Sequence, residues 1–334
     1  MVWTKQRPCL LCVRFYRKQK KRNQNSSLRL AGLLVNCRKI ENRDELGIYG
    51  LCCSITEPVS QLLKGLQNLA ERKKGYRKVK RYIGNFTKYK FLLSELVKKD
   101  IKLKYRRSKL GIVWTLIEPI LTTLVLSLVF GILKGKGDAF PVYILTGRLL
   151  FSFYSGSTKV AAKSIRSNGG MIRKVYIPKY MYPLASVLSN FVIFMISMIV
   201  LVGAMIIFRV VPTAHTILGI IPLGVLFLFS LGTSMILATV EVFFRDLEYL
   251  WGVMLTLMMY CSCIFYEPKS LGLHADILKF NPMFSIIYNF RNAVFYHKHL
   301  DGFALLYSGM VSLVLLVIGI YVFYKKQDEF ILNI

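Results

Sequence analysis

The chain has 334 residues, 54% of them hydrophobic, and a mean hydropathy of +0.46. A soluble protein of this length cannot hide that much apolar surface, so a membrane protein is the first expectation. The formal net charge of +29 would suit nucleic acid, but 29 of the 46 Lys and Arg fall in residues 1–110, ahead of long apolar runs; that is the positive-inside pattern of a membrane chain and argues against a nucleic-acid partner.

Residues 1–80 are basic and irregular, and "RFYRKQKKRNQNSS" reads as disordered. They hold no spanning run and no signal-peptide core. This leader is expected either to be disordered or to precede a true start near Val79. Cys9 and Cys12 form a CxxC, but the second pair that a zinc site would need is missing, so no metal is expected.

Over 83–109, Phe86, Tyr89, Leu93, Val97, Ile101 and Tyr105 recur at three- and four-residue spacing. Lys98, Lys102, Arg106 and Lys109 form a second stripe at the same period. This predicts an amphipathic helix at the cytoplasmic membrane interface. Its cations would meet anionic lipid phosphates, although a plain topology anchor would show the same pattern.

Six segments reach spanning length, which predicts an all-α integral membrane protein. They are placed at about 112–133, 140–162, 184–208, 216–240, 249–266 and 303–324. Loops 163–179 and the tail after Lys325-Lys326 are basic, so both termini are expected in the cytoplasm, with residues 327–334 as a cytoplasmic tail. The loop 267–302 is then external, despite Lys269, Lys279, Arg291 and Lys298. Its apolar stretch "FNPMFSIIYNFRNAVFY" is too short to cross twice and reads as re-entrant or interfacial helices broken at Pro282.

Glu118 is the only charge in 112–133, and Arg148 the only charge in 140–158, ahead of Lys159 at the end of the second span. An ionised carboxylate facing lipid costs about 2.5 kcal/mol or more. Glu118 must therefore face a polar path, pair with a cation such as Arg148, be protonated or snorkel to the interface; a structural hydrogen bond beside Pro119 is the alternative. Trp114 stands on the same span. Phe151, Tyr154, Tyr260 and Tyr266 offer ring faces along which sugars slide, or else simple packing. His297, His299 and Asp301 share a loop without a second ligand cluster, and His215 stands alone, so neither a metal site nor a proton relay is expected.

Four stretches then carry a resemblance. "DIKLKYRRSKLGIVWTLIEPIL" holds Tyr105, Leu110-Gly111, Trp114 and Pro119; "NGGMIRKVYIPKYMYPLA" holds Pro178 and Pro183; "VFFRDLEYL" holds Arg245-Asp246; "FNPMFSIIYNFRNAVF" holds Asn281-Pro282 and Arg291. Together, from about Tyr82 to the C-terminus, they resemble the permease subunits of ABC-2 type exporters of O-antigen and teichoic acid. There are departures. Cys261-Ser262-Cys263 stands where similar permeases carry a Ser-Pro or Thr-Pro, so no proline enforces a helix break there. Phe151 stands where they often carry Trp.

The resemblance implies an ABC-2 transmembrane domain over 112–326 in a bacterial cytoplasmic (inner) membrane. It implies a homodimer that works with two ABC ATPase subunits and moves a lipid-linked glycan. Ile172, Arg173, Lys174, Tyr176 and Pro178 would couple the permease to the ATPase. No GxxxxGK[ST] loop is present, so no cofactor is expected in this chain; ATP and Mg would be bound by the partner. The residues also leave room for an ABC-2 permease of a drug or simple lipid. A membrane-bound transferase would need an acid/base or nucleophile cluster that the sequence does not display, and a secondary transporter would need internal repeats.

Overall fold

The computed structural model describes residues 89–106, 108–134, 139–174, 177–210, 214–266, 278, 280–296 and 298–333. The leader with its CxxC, residues 83–88 of the amphipathic stretch, Tyr176 and His297 lie outside them. Among the described residues every regular element is a helix. In chain order they are α1 over 89–105, α2 Trp114–Lys134, α3 Phe140–Ser167, α4 Gly169–Lys174 and α5 Met181–Ile207. There follow α6 Ile220–Phe243, α7 Leu247–Cys261, α8 Pro282–Val294, α9 Gly302–Lys326 and α10 Phe330–Asn333.

Four stretches are long and apolar enough to cross a bilayer: Gly111–Phe130, Met181–Ile207, His215–Phe243 and Gly302–Glu329. They coincide with four of the six expected spans. The other two differ for opposite reasons. α3 is long at 28 residues but carries Arg148, Lys159, Lys163 and Arg166. It is the central helix, packed against α2, α5, α6, α7 and α8. Most of its surface is covered by protein, so a lipid-matching composition is not required of it. α7 is apolar but has 15 residues, about 22 Å at 1.5 Å per residue, against a hydrocarbon core of roughly 30 Å.

The bundle has two packed ends. At one, here called basal, Leu93 and Leu96 of α1 meet Ile165 of α3, Ile172 of α4 and Met181 of α5, with Val242 of α6 and Phe323 of α9. Phe330 of α10 is fully buried there, edge-on to Phe323 at 5.2 Å. The residues read as a tail thus fold back onto the bundle through Phe330. At the other, apical end α8 packs on the start of α6 and on α9. α3 and α6 descend to the base, α5 ascends from it, and α9 descends again.

α6 and α9 approach to backbone contact. A Cβ on Gly232 would lie 2.6 Å from the Leu316 nitrogen, and one on Gly319 2.7 Å from the Gly232 carbonyl oxygen. Buried Ser230, Ser234, Ser308 and Ser312 continue this seam of small side chains, the usual means of close helix packing in membranes.

Candidate functional site

Among the described residues, the basal end gathers charged side chains of α1, α3, α4, α6 and α7. α1 buries Leu93 and Leu96 and leaves Lys98, Lys102 and Arg106 exposed, while Tyr105 is half-buried. The amphipathic pattern is therefore expressed over 89–105, with its apolar stripe spent on protein. Asp100 lies 3.8 Å from Lys99 and accepts from Ser186 Oγ at 3.4 Å. Burial raises the Asp100 carboxyl above its ordinary range, against the opposing pull of Lys99 and Ser186. Burial also pushes the Lys104 ammonium down, with the Glu118 carboxylate opposing it.

α4 hangs directly below α3. It buries Ile172 in the basal cluster and points Arg173 and Lys174 outward. Pro178 is half-buried in the turn that follows. Beside it, Lys179 stacks over Phe330; burial lowers its ammonium and Asp328 opposes that.

Sequence reasoning missed an ion network at this end. Arg166 of α3 lies 3.3 Å from Glu241 of α6 and 3.9 Å from Glu248 of α7, and Lys163 binds Glu248. Glu241 is 0% exposed and neither of its oxygens has a hydrogen bond in standard geometry. Within the stretch "VEVFFRDLEYL" Arg245 and Asp246 are exposed, and the flanking Glu241 and Glu248 make the contacts across helices. Their seven-residue spacing is the one signal that could have found them.

The apical end is organised by Arg291, which is 3% exposed. Asn281 caps α8 by accepting from the Met283 N–H at 3.0 Å, with Pro282 at the first helical position. Its Nδ2 donates to Ser262 Oγ at 3.2 Å. Arg291 donates to the carbonyls of Cys263 at 2.8 Å, Ile264 at 2.9 Å and Tyr143 at 3.1 Å. Its Cζ sits 3.6 Å from the Tyr143 ring centroid. Tyr143 in turn donates its hydroxyl to the Tyr266 carbonyl at 2.8 Å. Gly147 makes room, since a Cβ there would lie 2.5 Å from Arg291 Nη2. α7 therefore does break after Cys261, without a proline. Cys263 adopts φ 50, and Arg291 takes up the carbonyls that the lost helix turns release.

The expected path residues separate into two sets. Phe151 and Tyr154 are buried, Tyr154 stacked on Phe229 at 4.9 Å. They pack the core of the single chain. Trp114, Glu118 and Tyr260 are exposed, and Arg148 is half-buried. Tyr266 donates to the Tyr260 carbonyl at 2.7 Å. Glu118 and Arg148 do not pair: Arg148 turns Nη1 toward Met259 Sδ at 3.8 Å, while Glu118 acts on Lys104 and Tyr105. Nor does Glu118 serve the proline. The carbonyl that Pro119 leaves free, that of Thr115, accepts from Ser197 Oγ at 3.0 Å.

α7 buries Leu255 alone, and the window of α2 that could span is 11% buried. Both helices flank α3, and both present rows of exposed apolar side chains, among them Tyr249 at 76% and Val253 at 68%. Among the described residues there is no cluster of three metal-ligating side chains. The sequence left His215 alone, but the fold sets it edge-on to His299 with ring centroids 4.9 Å apart.

A family model described as ABC-2 type transporter matches residues 92–295. An O-antigen export system permease protein RfbA of Myxococcus xanthus is 28% identical over 254 residues, which is 75% of this chain and 98% of that protein. One of the same name from Klebsiella pneumoniae is 26% identical over 243 residues, covering 72% and 93%. A polysialic acid transport protein KpsM of Escherichia coli is 24% identical over 257 residues, covering 74% and 98%.

Proposed function

The chain belongs to the ABC-2 type transporter family, and we propose that it is the permease subunit of an ATP-driven exporter that moves a lipid-linked polysaccharide across the bacterial cytoplasmic membrane. The observation that carries this reading is the match to O-antigen and polysialic acid export proteins along nearly their whole length. It is a multi-pass membrane protein, and six passes follow if α3 and α7 join the four apolar helices. Covered by its neighbours, α3 tolerates its charges, and α7 is extended by the unwound segment held under Arg291.

Two copies would pair through the uncovered faces of α2 and α7, placing Trp114, Glu118, Arg148 and Tyr260 around a shared path. Phe151 and Tyr154 support that wall from behind. The basal end would face the cytoplasm. There α4 would seat in an ATPase groove through Arg173 and Lys174, with Tyr176 and Pro178 shaping the return to α5. The ATPase would bind ATP and Mg.

The test is export. A strain lacking this gene should lose its surface polysaccharide and recover it when the gene is restored together with its ATPase. Unchanged surface polysaccharide in the deletion strain would reject the cargo and favour the drug or simple-lipid reading of the same family.

A further inference from the structure

A cleft of about 310 Å³ lies between α1 and the basal halves of α3 and α5. Its floor is built of small hydrogen-bonding side chains: Ser164 and Asn168 from α3 and its cap, and Ser186, Ser189 and Asn190 from α5. Its edge carries Lys104 and Asp100 from α1. The rim is apolar, with Leu103 56% exposed and Val160 43% exposed, and Ile193 beside them.

One floor hydroxyl has no partner. Ser164 is 2% exposed, yet its Oγ has no hydrogen-bond partner. Other hydroxyls on the same helix return to their own turn: Ser157 bonds the Phe153 carbonyl at 2.7 Å and Thr158 the Tyr154 carbonyl at 2.8 Å. Ser164 forgoes that bond and lines the cleft instead. A buried hydroxyl without a partner is costly unless something in the cavity meets it.

We propose that this cleft binds the phosphorylated, hydroxyl-rich head of a membrane lipid, with its chain running out over the apolar rim. The chemistry divides by place. Neutral hydroxyls and amides suit sugar or glycerol hydroxyls, which need both donors and acceptors. Asp100 accepts from hydroxyls, and Lys104 meets a single phosphodiester. Lys99 donates to the floor's Asn168 Oδ1 at 2.7 Å and lies 3.8 Å from Asp100, which leaves Lys104 as the cation facing the cleft. Two lipids have this head chemistry: a glycerol-headed phospholipid and the lipid-linked glycan. Only the second rests on the proposed export function.

The experiment uses the full permease with its ATPase in nanodiscs of phosphatidylcholine. These are supplemented either with phosphatidylglycerol or with the glycolipid fraction of the host membrane, and lipid retained on the released complex is measured by native mass spectrometry. Wild type should retain at least one of the two. Ser189→Leu, which fills the floor, and Lys104→Gln, which removes the phosphate contact, should each retain about tenfold less. Retention of phosphatidylglycerol alone assigns a bulk phospholipid, and retention of glycolipid assigns the cargo. No retention by wild type, or equal retention by wild type and Lys104→Gln, overturns the proposal. If Ser189→Leu does not fold, Lys104→Gln, at the edge of the cleft, decides by itself. Unchanged surface polysaccharide in the deletion strain would reject the export reading while the phosphatidylglycerol arm still reports on the cleft.

Discussion

Ser197 of α5 donates its hydroxyl to the Thr115 carbonyl of α2 at 3.0 Å, and so replaces the N–H that Pro119 lacks. The proline and the serine are a matched pair on different helices. Ser197→Ala should destabilise the chain by about 1 kcal/mol, in the range of interhelical hydrogen bonds in membranes. Pro119→Ala restores the helical donor, so adding it should erase most of the Ser197→Ala loss. Thermal unfolding of the four members of this cycle in detergent checks the coupling, and additive losses would reject it.

Arg291 binds three carbonyls on two segments and stacks on Tyr143. Arg291→Gln should cost about 2 kcal/mol or more, because those carbonyls stay buried. Gly147→Ala should do similar damage, since its Cβ would displace Arg291 Nη2. The two losses should not add. Folded yield after size exclusion is the readout.

Arg166 is the nearest cation to the buried Glu241. Arg166→Leu should destabilise by about 3–5 kcal/mol, the usual cost of stranding a buried charge. Adding Glu241→Leu should recover much of that loss. A double variant no better than the single one would show that Arg166 acts by packing alone.

Arg173 and Lys174 are exposed on α4 while Ile172 anchors it. Reversing both charges to Glu should leave folded yield unchanged and reduce copurification of the ATPase severalfold. Normal ATPase yield together with normal export would remove α4 from the coupling surface.

Glu118 is exposed on α2 and takes no part in satisfying the carbonyl freed by Pro119. Glu118→Gln and Glu118→Leu should therefore both fold at wild-type yield, and both should change export per folded transporter. If Leu alone lowers folded yield and Gln exports normally, Glu118 is a structural group and has no gating role.

Much of the scaffold is local and was legible as sequence. Runs of apolar residues set four spanning helices because helix length against bilayer thickness is a one-dimensional constraint. Asn281-Pro282, read as a break between helices, caps and opens α8, by chemistry confined to a few neighbouring residues. The two-stripe pattern of 89–105 likewise marked which side of α1 would be covered.

Tertiary structure alone decided how the polar groups were used. The contact of Arg291 with Tyr143 joins residues 148 positions apart, and no period along the chain encodes it. Phe151 and Tyr154 turned inward because α3 is enclosed by neighbours that hydropathy cannot rank. Glu118 and Arg148, the pair suggested by being the two charges in oil, face different partners, since depth along a helix says nothing of azimuth around the bundle. α7 breaks after Cys261 without a proline because a distant guanidinium donates to the released carbonyls, an exchange of local for long-range hydrogen bonds that only the folded chain makes available.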